Sequence, residues 1–148
     1  MKIPPLSASA IVAAALFCIA ALPAGAAPPP ACSVVSLEQV RAIAGGPVVI
    51  FERSAYETPQ SHGGLTGASC VYYPPNGITS GRSGHYATLT FSWGSQTDVV
   101  RSKQFAAQRG MRVGAIKHGI FVSALVSSNG AVNWPASKKL LDAALAKI

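Results

Sequence analysis

Acidic residues are scarce in this chain. Five Asp and Glu stand against 12 Lys and Arg in 148 residues, a formal charge of +7. The acids are Glu38, Glu52, Glu57, Asp98 and Asp142, and only Glu52 and Glu57 lie close together outside the expected helices. A hydrolase built on two converging carboxylates has little to draw on here. The three histidines, His62, His85 and His118, show no H-x-H, H-x-x-x-H or Cys/His spacing of a metal site. No serine stands in a G-x-S-x-G frame, and no phosphate-binding or cofactor motif is present. The sequence therefore points away from an enzyme, and no catalytic residue, metal or cofactor is assigned.

Long apolar runs are missing too. The run from Ala8 to Leu22 falls short of the ~20 residues a membrane-spanning helix needs, and Pro23 ends it. Lys2 precedes it, and Ala24-Gly25-Ala26 follows with the small-x-small pattern of a signal-peptidase site. Residues 1–26 are expected to be a cleaved signal peptide, placing the mature protein in the periplasm or outside the cell, with no membrane span left. Cys18 sits mid-run behind Phe17, and Cys32 follows Pro29-Pro30-Ala31. Neither fits a lipid-attachment site.

Cysteine is sparse and its placement informative. Of three, Cys18 leaves with the leader, so Cys32 and Cys70 remain. An even pair in an oxidising compartment argues for a disulfide, with two free thiols or a redox pair as alternatives. The redox reading lacks a C-x-x-C spacing to tune a thiolate.

What is present reads in order as follows. Residues 27–35 form a Pro-rich extended lead-in. Ser36-Leu37-Glu38-Gln39 is a capping box, and the helix it opens stops at Gly45-Gly46. Val48 to Phe51 reads as a strand, 53–66 as a long exposed loop, and Ala68 to Tyr73 as a strand ended by Pro74-Pro75-Asn76-Gly77. His85 to Trp93 alternates Ala87, Leu89, Phe91 and Trp93 with Tyr86, Thr88, Thr90 and Ser92, a strand with one apolar and one wetter face. Ser95 caps a helix from Gln96 to Arg109. Met111 to Ile116 and Ile120 to Val126 read as strands, with a turn at Ser128-Asn129-Gly130 into Ala131-Val132. Pro135 opens a last helix, with Trp134 read as its packing anchor. The whole, 36–148, is expected to be a single α+β domain in the order α-β-β-β-α-β-(β)-α, a mostly antiparallel sheet with helices packed on one face.

Cys32, Ser36, Gln39, Val40, Gly45, Gly46, Cys70 and Tyr72, with the late strand around Phe121 and the helix from Ala136, form a recurring layout. It resembles small bacterial cell-envelope domains of unknown function, many of them lipoproteins. The resemblance implies an envelope location and a disulfide-linked α+β fold, and brings no activity. The missing lipid-attachment site is a departure from it.

Two features suggest binding. No acid lies between Asp98 and Asp142, whereas Arg101, Lys103, Arg109, Arg112, Lys117, Lys138 and Lys139 do. If the middle helix and the next strand share a face, these cations converge on an anionic envelope component or an acidic protein. Nucleic acid does not suit an exported chain without basic-aromatic interleaving. Tyr73 and Tyr86 are candidates for a recognition surface on the open sheet face, with either Tyr72 or Tyr73 turned into the core. The expected function is a secreted, non-enzymatic binding or inhibitor-like module. The alternative is a small secreted hydrolase with His62 or His118 acting at the 53–66 loop.

Overall fold

A computed structural model describes residues 27–51, 60–62, 64–77, 84–109 and 113–148. The expected signal peptide, residues 53–59 and 63 of the expected 53–66 loop, and Arg112 lie outside the described residues. The elements are α1 (Ala31–Val34), α2 (Leu37–Ala44), β1 (Val49–Ile50), β2 (Gln60–His62), β3 (Leu65–Tyr73), β4 (His85–Gly94), α3 (Gln96–Arg109), β5 (Val113–Lys117), β6 (Ile120–Ser128), β7 (Ala131–Val132) and α4 (Trp134–Leu145). The domain is α+β, and its order follows the sequence reading.

All pairings are antiparallel, in the order β1-β3-β4-β6-β5, with β2 also on β3 and β7 also on β6. The long central strands align Cys70 with Leu89 and Leu89 with Ala124. Paired residues share a face, so Ala68, Cys70 and Tyr72, Ala87, Leu89 and Phe91, and Val122, Ala124 and Val126 all point to one side. There they join Ala31, Val35 and Val40 and the α4 residues Leu140 and Ala144 in one cluster. Helices α1, α2 and α4 gather over this face.

Helix α3 is placed by topology. Strands β4 and β5 both run antiparallel to β6, so they are parallel to each other and need a crossover, which α3 supplies. Its buried Val99 lies outside the main cluster, as do Val71 and Phe121, whose alternation turns them to the opposite face. The one-face arrangement thus holds for three of the described helices, and α3 covers the far end of the other face.

Local chemistry explains most boundaries. The Gln39 N–H donates to Ser36 Oγ at 3.2 Å, and Gly45 ends α2 at φ 76°. Likewise the Asp98 N–H donates to Ser95 Oγ at 3.2 Å. His118 and Gly119 (φ 50° and 76°), then Asn129 and Gly130 (φ 51° and 79°), make two-residue turns with positive φ at both positions, which match the twist of the hairpins they join.

Three expectations need correction. Residues 31–35 are not extended: α1 is one helical turn, and Ala31, Cys32, Val34 and Val35 are buried. Burial of these apolar groups and the Cys32–Cys70 bond outweigh the extended bias of the preceding prolines. The 53–66 loop is shorter than read, because Gln60, Ser61 and His62 pair with Gly67, Thr66 and Leu65. Trp134 is 44% exposed and stands outside the buried core, so it is not the buried anchor expected. It stands about a quarter-turn from the centre of the buried stripe made by Ser137, Leu140 and Ala144, in the first turn of α4.

Candidate functional site

The disulfide joins Cys32 of α1 to Cys70 of β3, with Cα atoms 4.9 Å apart. Cys32 is 6% exposed and Cys70 fully buried. Burial keeps external thiols from the sulfurs, so the bond is a staple and not a reactive centre.

Tyr73 and Tyr86 do meet. Alternation buries Tyr72 in the core and turns Tyr73 to the other face, where its ring lies 5.2 Å from that of Tyr86 at 46°. Phe51 extends the β1 ladder by one residue, its N–H donating to Val71 O at 2.9 Å. Its ring stands edge-on to Tyr73, with centroids 4.6 Å apart at 84°. Thr88 Oγ1 donates to Tyr86 Oη at 2.7 Å, fixing that ring from two residues along the strand, the next position on the same face. The row continues across the sheet through Ser127 to Val132, and on the other side to Val49. Phe51 and Val132, 38% and 40% exposed, stand at the two ends of this strip.

The ring separations leave no gap between rings for a cation, so the cluster is not an aromatic cage. It is a preordered amphipathic surface of half-buried rings, with little side-chain entropy to lose on contact. Sequence reasoning missed Phe51 and Val132. The signal for Phe51 was its position beyond the end of β1, where alternation puts it beside Tyr73.

The cations do not converge as expected. Arg101 and Lys103 are two residues apart on α3, hence about 200° apart around it. Arg101 contacts Asp98 at 3.5 Å. Lys117 belongs elsewhere: its Nζ donates to Leu145 O at 2.6 Å, capping the end of α4 from the edge strand β5. Lys138 pairs with Asp142 one turn on, at 2.9 Å. The Arg109 side chain and Arg112 fall outside the described residues. Among the described residues the cations form no single patch, because the helix distributes neighbouring ones around its axis.

The histidines are no better gathered. His118 is exposed in the β5–β6 turn, and His85 Nδ1 lies 3.0 Å from Ser128 Oγ, with its ring against Gly46. His62 sits in β2, and its side chain is outside the described residues. Among the described residues no three His, Cys, Asp or Glu side chains come together, and no helix is long and apolar enough to cross a membrane. No family model, curated protein or solved structure matches this chain.

Proposed function

We propose that this chain is an exported, non-enzymatic binding module of the bacterial envelope that holds a partner against the aromatic strip. The observation that carries the reading is the preordered cluster of Phe51, Tyr73 and Tyr86 on the sheet face turned away from the core. Aromatic anchors of this kind supply most of the energy in protein recognition, and their surroundings chiefly exclude water. The strong positive charge favours an anionic envelope component or an acidic protein as partner and speeds the encounter. The leader pattern of residues 1–26 and a staple buried in the fold both suit an oxidising compartment outside the cytoplasm.

The test is retention of envelope-extract components on immobilised protein at two salt concentrations, comparing the natural chain with Phe51→Ser and Tyr73→Ser. The strip should retain a specific component that either variant loses, by about fivefold or more in apparent affinity. Thermal unfolding of the variants shows whether each is folded. Retention unchanged in both folded variants would refute the strip as the site.

A further inference from the structure

Strand β5 leaves one edge of the sheet open. Among the described residues it pairs with β6 alone, at the end of the order β1-β3-β4-β6-β5. The two-residue turn at His118-Gly119 makes Lys117 and Ile120 a hydrogen-bonded pair, and alternation gives Ala115 and Val113 the same inward bonding to β6. The N–H and C=O of Gly114 and Ile116 therefore point outward, and among the described residues nothing pairs with them. The opposite edge is blunter: β1 is two residues long, with Pro47 two residues before it.

A lysine commonly guards such an edge, but Lys117 does not guard this one. Its Nζ is turned over the core face to Leu145 O, 2.6 Å away. That bond sets the last turn of α4 beside the edge, where Leu145 and Ile148 are only partly buried. On the far face Ile116 is 37% exposed. Gly114, two residues before it, has no room for a side chain, because a Cβ there would strike the Phe121 ring.

We infer that this edge pairs with the same edge of a second copy of the chain, in an antiparallel two-fold dimer centred on Ala115. The register is self-complementary, as an isologous contact requires. Gly114 of each copy opposes Ile116 of the other, so every outward group finds a partner across the axis. Ile116 then lies opposite the position without a side chain, and Lys117 opposes Val113, not a second lysine. A foreign strand would have to bring its own match to Gly114, whereas a second copy brings it by symmetry. On the core face, the last turns of the two α4 helices approach over the axis and add Leu145 and Ile148 to the contact. The axis runs perpendicular to the sheet, so both aromatic strips face the same side, about 40 Å apart. The inference goes beyond the strip and holds without it.

The contact is short, so association is weak, with a dissociation constant of about 10–1000 μM at physiological salt. Sedimentation equilibrium from about 10 μM to 1 mM reads it. Ile116→Pro removes an outward N–H without touching the β6 ladder, and Ile116→Lys places a charge on the edge. Each should weaken association by about tenfold or more, while Tyr73→Ser stays within about twofold; thermal unfolding shows which variants are folded. Register is read by cross-linking in a chain carrying Cys18→Ser. The two Ala115 residues form a non-hydrogen-bonded pair with Cα atoms about 4.5 Å apart, within disulfide reach, whereas the two Ile116 residues stand about 8 Å apart, beyond it. Ala115→Cys should give a covalent dimer on mild oxidation and Ile116→Cys should not, although Ile116 is the more exposed. A natural chain that stays monomeric at 1 mM overturns the dimer. So does unchanged association in a folded Ile116 variant, or equal cross-linking of both cysteine variants, which would show random collision. A loss in Tyr73→Ser would move the contact to the strip and overturn it too.

Discussion

Val126 sits in the gap between the two strands that pair with one side of β6. Strand β5 pairs with β6 up to Ala124, and pairing with β7 begins at Ser127. The backbone groups of Val126 would be left buried and unpaired there. Helix α4 fills the gap: Ser137 Oγ accepts from the Val126 N–H at 2.8 Å and donates to Asn133 O at 2.8 Å, and the Asn133 N–H donates to Val126 O at 2.8 Å. Ser137 is fully buried. Ser137→Ala should cost about 1–3 kcal/mol in urea unfolding, because it strands a buried donor. An unchanged midpoint would mean the N–H finds another partner. Residue-scale readings were legible where alternation decides them, as with Tyr72 inside and Tyr73 outside. Ser137 was not legible, since a serine in a helix carries no mark of the strand it serves. Nor was Lys117, whose partner is a carbonyl 28 residues away in sequence.

At the element scale, legibility followed the strength of local signals. The bounds of α3 match the reading because Ser95 caps it and Gly110 follows its last residue. Strand β7 and its turn were legible because Asn-Gly adopts positive φ readily. Asn129 also ties the turn to the start of β4, its N–H donating to Gly84 O at 2.9 Å and its Oδ1 accepting from the Gly84 N–H at 3.0 Å. The β5–β6 turn was read only as a loop, because His118 lacks that signature. His118 holds φ 50°, a region a branched or bulky side chain enters at some cost. His118→Asn should raise stability by a few tenths to about 1 kcal/mol, measured as a higher thermal midpoint without change in circular dichroism. A lower midpoint would show that the imidazole contributes contacts of its own. Helix α1 was hidden for a different reason: four residues cannot form a helix alone, and only the staple and the core hold them.

Across the whole molecule, the Cys32–Cys70 bond decides whether the N-terminal end belongs to the domain. It closes a loop with a sequence separation of 38, and through it α1 is fixed on β3, beside the sheet centre. Chain-entropy arguments assign such a loop about 4 kcal/mol, which for a domain of this size is roughly 15 °C in thermal midpoint. Cys32→Ser with Cys70→Ser should show a loss of that order. Amide exchange should rise first in residues 31–35, whose burial depends most on the staple. The proposed aromatic strip is built without α1, chiefly from β1, β3 and β4. Binding at the proposed strip should therefore survive in the double variant at temperatures where it stays folded. Loss of binding in a folded, cysteine-free chain would mean that the bond shapes a site and is more than a staple. Retained binding with lowered stability places recognition on the sheet and leaves the disulfide to hold the sheet's cover in place.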